Sequence, residues 1–130
     1  MKPVTDIPAA ASGDAVSHFE GLLAYETDCW DVHAGSTAGD GGFVVLDVRS
    51  PAAFAAGHVP GAVNLPWRLI SESSLAAHAP DGLLVVYCSG PHCNGADHAA
   101  AAIARLGRPV KKMIGGMTGW IDEGFALTKP

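Results

Sequence analysis

The stretch that most constrains the fold is residues 83–95, which reads Leu-Leu-Val-Val-Tyr-Cys-Ser-Gly-Pro-His-Cys-Asn-Gly. Its first five residues are aliphatic or aromatic, which is typical of a buried strand. Cys88 stands where that strand ends, and Gly90, Pro91 and Gly95 predict a tight loop before an alanine-rich helix. This order predicts an α/β fold with the loop at the carboxyl end of the strand.

Cys88 is the candidate nucleophile. The first N–H groups of a helix have no partner within the helix, and the macrodipole places partial positive charge there. Both effects favour a thiolate over a thiol at this position. The alternative is an inert buried thiol, which the loop and helix that follow Cys88 make the weaker interpretation.

The other segments also alternate between strand and helix, which favours a mostly parallel sheet with helices on both faces. Residues 1–13 are predicted to form a flexible N-terminal arm, and residues 14–130 a single domain. Strands are predicted at residues 24–27, 43–49, 63–65, 83–87 and 110–114, and helices at residues 15–23, 51–57, 71–77, 96–106 and 117–123. A further helix is predicted after Asp28, ending before a turn at Asp40-Gly41-Gly42.

Several single residues predict where these helices start or end and which side chains face the core. Asp14 is predicted to cap the first helix, and Gly57 to end a later helix in the left-handed conformation. Ala99, Ile103 and Leu106 are predicted to form the inward stripe of the helix after the loop. Cys29 is interpreted as a core residue because it lies on an amphipathic helix.

Composition and charge exclude several classes of function. The chain is 48% hydrophobic, only 16% of its residues are charged, and its formal charge is −5. A nucleic-acid partner or an acidic membrane surface is therefore not expected. No apolar run approaches the roughly 20 residues of a membrane span or resembles a signal peptide. Three cysteines do not make a disulfide scaffold, so we expect a cytoplasmic protein.

Two groups of motifs resemble the signatures of rhodanese-like domains and together cover nearly the whole chain. They are Leu-Asp-Val-Arg at residues 46–49, Phe54, Gly-His-Val-Pro-Gly-Ala-Val-Asn-Leu-Pro at residues 57–66, Val-Val-Tyr-Cys at residues 85–88, the loop after it, Gly115-Gly116 and Trp120. Their order and spacing match the family as well. The resemblance implies a single α/β domain with a five-stranded, mostly parallel sheet flanked by helices on both faces.

The resemblance also implies sulfur transfer, in which Cys88 takes a sulfane sulfur from a small donor and becomes a persulfide. The persulfide then passes its outer sulfur to a thiol or protein acceptor. A loop curled around Cys88 would aim backbone N–H groups at that sulfur, whereas Pro91 has no N–H and adds rigidity. By position in the motif, the residues expected to contact substrate are Ser89, Gly90, Pro91, His92, Cys93 and Asn94.

Three residues of the first motif are interpreted as structural supports of the site. A carboxylate and a guanidinium satisfy each other well, which favours a pair between Asp47 and Arg49. His58 lies in a tight turn, where a local hydrogen bond is the more common role than catalysis. Ala52 and Ala53 stand where the family often has an acidic partner for the arginine, so Arg49 needs another one.

The loop departs from the family pattern in its charge. Family loops often carry an arginine near the end, where this chain has His92, Cys93 and Asn94. His92 adds positive charge only when it is protonated, so the dianion thiosulfate is disfavoured as the natural donor. A phosphatase or an arsenate reductase on a related fold needs an arginine six residues after the cysteine, and Asn94 cannot supply its charge.

Cys93 leaves two interpretations open. It could resolve a Cys88 persulfide or protect Cys88 from overoxidation by forming a disulfide. The favoured interpretation is a packing residue whose side chain points away from Cys88. A non-enzymatic module for redox sensing or protein interaction, using Cys88 and Cys93, is the alternative to an enzyme. We expect no cofactor and no metal, because the Cys and His spacing fits no common zinc pattern.

Overall fold

The computed structural model describes residues 1–39 and 41–130, so Asp40 of the predicted Asp40-Gly41-Gly42 turn lies outside the described residues. Five strands and six α-helices alternate along the chain. They are α1 (Ser12–Tyr25), β1 (Glu26–Thr27), α2 (Cys29–Ala38), β2 (Phe43–Asp47), α3 (Pro51–Ala56), β3 (Val63–Asn64), α4 (Glu72–His78), β4 (Leu83–Tyr87), α5 (Gly95–Arg105), β5 (Val110–Met113) and α6 (Gly116–Asp122).

The strands form one sheet in the order β1-β5-β4-β2-β3, and every strand pair in it is parallel. The α/β class and the five-stranded sheet are therefore confirmed. β4 is the central strand, which explains why its sequence is continuously apolar. Its carboxyl end, where Cys88 follows, lies between the ends of two neighbouring strands.

Two hydrophobic clusters cover the two faces of the sheet, as predicted for helices on both sides. Alternate residues of β4 enter alternate clusters, because successive side chains of a strand point to opposite faces. Leu84 and Val86 pack on the side of α4 and α5, whereas Val85 and Tyr87 pack on the side of α2 and α6.

Helix caps follow the sequence signals in α2, α3 and α4. The Asp28 carboxylate accepts a hydrogen bond from the Asp31 N–H, and the Ser50 hydroxyl accepts one from the Ala53 N–H. Ser71 forms a reciprocal capping box with Ser74. These short polar side chains set the helix starts because they satisfy N–H groups that the first turn leaves unpaired.

Four details of the helices differ from the sequence predictions. Asp14 does not cap α1, because that helix starts at Ser12, three residues before its predicted start, and takes in Ser12 and Gly13 of the predicted arm. Gly57 ends α3 with φ of +152° and ψ of +136°, a positive-φ conformation that favours glycine but lies outside the left-handed helical region that was predicted. Leu106 is 42% exposed, since α5 ends at Arg105 and the chain turns away from the core. Residues 67–69 form a turn of 3₁₀ helix that the sequence did not predict.

Candidate active site

Cys88 lies directly after β4 and is 7% exposed. Its side chain belongs to the cluster beneath α5, together with Val86 and Ala96. The Cys88 carbonyl accepts a hydrogen bond of 3.0 Å from the Met117 N–H of α6. Cys88 is thus held between a central strand and the first turns of two helices.

The loop after Cys88 is bound to α6 through its first residues. Ser89 O accepts hydrogen bonds of 3.0 Å from both the N–H and the hydroxyl of Thr118. Gly116 has φ of +56°, and a Cβ atom there would collide with the Cys88 carbonyl oxygen. A glycine at position 116 is therefore required for the close approach of α6 to the loop.

The six predicted contact residues surround Cys88 with different exposures. Gly90 and Cys93 are half-buried, and the Cys93 N–H donates to the Gly90 carbonyl at 3.0 Å. The other four, Ser89, Pro91, His92 and Asn94, are exposed. Gly90, Pro91 and Cys93 line the cavity beside Cys88, whereas Ser89, His92 and Asn94 lie outside its lining. The role of the loop in holding a persulfide stays a prediction.

Cys93 points toward Cys88, so the prediction that its side chain turns away is wrong. The structure joins the two sulfurs in a disulfide, with Cα atoms 6.5 Å apart. That separation lies within the range of roughly 4.4–6.8 Å that disulfides span. The reversal arises because the Cys93 N–H closes a turn on Gly90 O, which folds the loop back over the end of β4.

A cavity of about 240 Å³ opens beside Cys88. Its walls come from the Cys88 loop, the start of α5, the end of β5 and the Gly115-Gly116 turn. Two charged residues, Asp97 and Lys112, line it. A small molecule fits a cavity of this volume, and Cys88 forms part of its wall.

Lys112 and Asp97 are site residues that the sequence analysis missed. Lys112 Nζ lies 3.0 Å from Asp97 Oδ1 and 3.5 Å from Glu26 Oε2. The hydrogen bond to Asp97 and the charges of both carboxylates outweigh burial and raise the pKa of Lys112. The pairing of β5 with β4 is what brings Lys112 to the site. The strand sequences alone do not specify that pairing.

Asp47, Arg49 and Tyr87 form a buried network at the end of β2, outside the lining of the cavity. Arg49 binds the Asp47 carboxylate through Nε at 3.0 and 3.1 Å and through Nη2 at 2.6 Å, and also donates to Gly57 O at 2.7 Å. The Tyr87 hydroxyl donates to Asp47 Oδ2 at 2.6 Å and accepts from the Val59 N–H at 3.1 Å. Burial, followed by the hydrogen bond and charge of Asp47, raises the pKa of Tyr87. Asp47 is thus the partner that Arg49 needed.

His58 is buried in the turn after α3, where its contacts are local. Its Nδ1 lies 3.0 Å from Phe54 O, and its ring stacks on the Phe54 ring at 3.6 Å between centroids. The backbone of His58 pairs with Thr128, which ties the C-terminal segment to this turn. These contacts suit a structural support, and none of them reaches Cys88.

Two other side chains near the site have packing roles. Trp67 is half-buried against the α5 cluster and stacks on His98 at 4.4 Å between ring centroids. Cys29 is in the core on the other face, where its thiol donates to the carbonyl oxygens of Ile114 and Gly116, with Sγ 3.6 Å from each. The prediction that Cys29 is a core residue is confirmed.

Neither a metal nor a membrane is indicated by the described part of the chain. Over residues 1–39 and 41–130, no three His, Cys, Asp or Glu side chains are grouped so that they could hold a metal ion. Within the same residues, no helix has the length and the apolar character needed to cross a bilayer.

Comparison with solved structures and characterised sequences gives several relatives. The BH2092 protein of Bacillus halodurans has a TM-score of 0.87 and 35% identity, with 92% of this chain and 87% of that chain covered. An HTH-type transcriptional regulator of Mycobacterium tuberculosis, Rv0324, is 36% identical over 65% of this chain, but that match spans only 39% of the regulator. The mitochondrial protein HIGH ARSENIC CONTENT 1 of Arabidopsis thaliana is 31% identical over 87% of this chain and 78% of its own length.

The family assignment rests on a match that covers most of the chain. A sequence model described as the rhodanese-like domain matches residues 33–123, which run from within α2 to the end of α6 and include both the Asp47 network and the Cys88 loop. This chain therefore belongs to the rhodanese-like domain family.

Proposed function

We propose that the protein is a sulfurtransferase that carries a sulfane sulfur as a persulfide on Cys88. The observation that supports this most directly is the position of Cys88, at the end of the central strand and in the wall of a small cavity. Membership of the rhodanese-like family supports the same chemistry, since that family includes sulfurtransferases.

The start of α5 favours the reactive form of Cys88. The helix begins at Gly95, and its positive end lies against the loop that holds the sulfur. A Cβ atom on Gly95 would lie 2.8 Å from Cys88 Sγ, so only glycine lets the helix start this close to the sulfur. A thiolate at such a position is stabilised relative to the thiol, and the thiolate is the nucleophile.

The reaction consists of two displacements at sulfur. The Cys88 thiolate attacks the sulfane sulfur of the donor, and the remainder of the donor leaves with the electrons of the broken bond. The thiolate of the acceptor, a small thiol or a protein cysteine, then attacks the outer sulfur and releases Cys88. The disulfide to Cys93 must first be reduced by two thiol equivalents, which a reducing compartment such as the cytoplasm supplies.

The charges at the site disfavour thiosulfate as the natural donor. The loop carries no arginine, and Lys112, the cation that lines the cavity, is already paired with Asp97 and Glu26. A dianion that enters the cavity meets the Asp97 carboxylate, while the charge of Lys112 is already balanced. Donors with a single negative charge suit the site better.

Mass spectrometry of the reduced protein after incubation with thiosulfate, mercaptopyruvate or glutathione persulfide tests the proposal. We expect Cys88 to gain the mass of one sulfur atom with at least one donor. Cys88→Ser should abolish both the adduct and the transfer, whereas Cys93→Ser should retain transfer. An unmodified Cys88 with all three donors would contradict the proposal.

A second candidate function is a redox-sensing module, and the observation that favours it is the Cys88–Cys93 disulfide. The mycobacterial relative is a transcriptional regulator of which this chain spans 39%, which is compatible with a sensory role for such a domain. In this case the pair would oxidise and reduce reversibly while Cys88 accepts no sulfur. If a Cys88→Ser variant instead kept full biological activity, a protein-interaction role would be favoured.

A further inference from the structure

The ion cluster beside Cys88 joins three elements of the fold. Lys112 of β5 is in register with Val86 of β4 and with Glu26 of β1. Because alternate residues of a strand share a face, the side chains of Val86 and Cys88 lie on the same side of the sheet as Lys112. Lys112 Nζ lies 3.0 Å from Oδ1 of Asp97 in the first turn of α5, and both residues line the cavity that Cys88 also lines.

The ion pairs of this cluster are accessible and easily opened. The side chain of Lys112 is 27% exposed, and those of Glu26 and Asp97 are 29% and 60% exposed. Ion pairs with this much exposure contribute little to stability, because water competes for both charges. A ligand can therefore take over one partner of Lys112 at small cost and offer a charge of its own to the released carboxylate.

Two carboxylates and one ammonium give the cluster a net charge of −1. A ligand carboxylate that binds Lys112 leaves Asp97 without its partner, and an ammonium group on the same ligand neutralises that carboxylate, so a ligand with both charges binds better than one with a single charge. A molecule the size of an amino acid fits the cavity of about 240 Å³. The ligand best matched to the cluster is therefore zwitterionic and carries its sulfur toward Cys88.

We infer that Lys112 and Asp97 bind the carboxylate and the ammonium of an α-amino-acid thiol or persulfide, which is the small-molecule partner of Cys88. This inference rests on the proposed sulfur transfer and names its substrate class. The chemistry is shared by a free amino-acid thiol and by the γ-glutamyl end of a thiol peptide, and the test below separates these two sources.

The transfer to such a thiol balances without an added oxidant or reductant. The thiolate of the amino acid attacks the outer sulfur of Cys88–S–SH, so that one S–S bond forms as the bond to Cys88 breaks. The proton stays on the outer sulfur, and Cys88 returns as the thiolate. The reverse step loads Cys88 from an amino-acid persulfide.

Four thiols separate the two charges of the ligand. Cysteine carries both, cysteamine only the ammonium, 3-mercaptopropionate only the carboxylate and 2-mercaptoethanol neither. The reduced full-length protein is loaded with inorganic polysulfide, desalted and mixed with each thiol, and the loss of the Cys88 persulfide is followed by mass spectrometry. The ratio of variant to wild-type rate is taken for each thiol, which cancels the intrinsic reactivity of the thiols.

Lys112→Gln should slow transfer to cysteine and to 3-mercaptopropionate by about fivefold, the effect of losing one partly exposed charge pair. Transfer to 2-mercaptoethanol should stay close to wild type, and transfer to cysteamine should not be slowed, because Asp97 still binds its ammonium. Asp97→Asn should slow transfer to the two thiols that carry an ammonium, and Lys112→Arg should restore the rates.

The matched control is Lys111→Gln, which removes the same charge from the same strand. Lys111 is in register with Val85, on the opposite face of the sheet, and does not line the cavity. It should leave all four rates unchanged. A glutathione arm distinguishes the sources: if Lys112→Gln slows glutathione more than cysteine, the ligand is the peptide.

The inference is overturned if Lys112→Gln slows all four thiols equally, since that is a general effect on Cys88, or if it slows none. Both results require a loaded persulfide, and so leave the proposed function standing. If neither the wild type nor the variant can be loaded on Cys88, the proposed function fails and the inference fails with it.

Discussion

The Asp47 carboxylate is completely buried and depends on Arg49 for its charge balance. A buried charge that loses its partner is costly, so we expect Arg49→Met to lower the free energy of unfolding by about 3–5 kcal/mol. Tyr87→Phe removes one hydrogen bond to the same carboxylate and should cost about 1–3 kcal/mol. Urea unfolding of both variants measures the difference, and equal losses would contradict this account of the network.

Cys29 is the cysteine that the structure keeps protonated. Burial, followed by the charges of Asp28 and Glu123, raises the pKa of its thiol from 9.0 to about 11. The pKa of the Cys29 thiol is higher in the folded than in the unfolded protein. The contribution of Cys29 to the free energy of unfolding is therefore complete below pH 9 and is lost as the pH rises toward 11.

We therefore expect iodoacetamide at pH 8 to leave Cys29 unmodified in the reduced, folded protein. The thiolate is the reactive form, and both burial and the raised pKa suppress it. Peptide mapping by mass spectrometry gives the site of labelling, and urea-unfolded protein is the control in which Cys29 should react. Labelling of Cys29 in the folded protein at the unfolded rate would refute the prediction.

At the scale of elements, the approach of α6 to the Cys88 loop depends on Gly116. Its φ is positive, and a methyl group added to its Cα would collide with the Cys88 carbonyl oxygen and crowd the Gly90 nitrogen, so there is no room for a side chain. Gly116→Ala should therefore both destabilise the fold and disrupt the loop that surrounds Cys88.

The control for Gly116→Ala is Gly107→Ala. Gly107 also has a positive φ, of +79°, but it has open space around it. It should cost only the strain of a left-handed alanine, about 1–2 kcal/mol, and leave sulfur uptake by Cys88 intact. Urea unfolding and mass spectrometry measure the two effects, and sulfur uptake by Gly116→Ala at the wild-type rate would contradict the prediction.

The sequence predicted those elements whose local signals agree with their tertiary surroundings. β4 was predicted at its observed bounds because a central parallel strand is apolar on both faces. The first helix was located but its start was misplaced, since Asp14 resembles a cap although α1 already begins at Ser12. Leu106 fits the periodicity of α5, but the helix ends one residue before it. The helical spacing of apolar residues does not show at which residue the helix ends and its side chains cease to face the core.

At the scale of the whole molecule, the site combines residues that are distant in sequence. Cys88 could be proposed as the nucleophile from its strand, loop and helix, all within one short stretch. Lys112 and Glu26 could not, because their proximity to the site depends on β5 lying between β4 and β1. The direction of the Cys93 side chain also depends on a turn within the loop that its composition does not specify.

The disulfide links the redox state of the site to the stability of the whole domain. Cys88 and Cys93 are five positions apart in sequence, and closing so short a loop stabilises the fold by about 2 kcal/mol in the chain-entropy account. The oxidised protein should therefore unfold at higher urea concentration than the reduced protein, while it accepts no sulfur because Cys88 is blocked. Reduction should lower the urea concentration of unfolding and restore sulfur uptake together. In Cys93→Ser, neither the unfolding nor the sulfur uptake should depend on oxidation. If the oxidised and reduced proteins unfolded alike or took up sulfur equally, Cys93 would have no part in controlling Cys88.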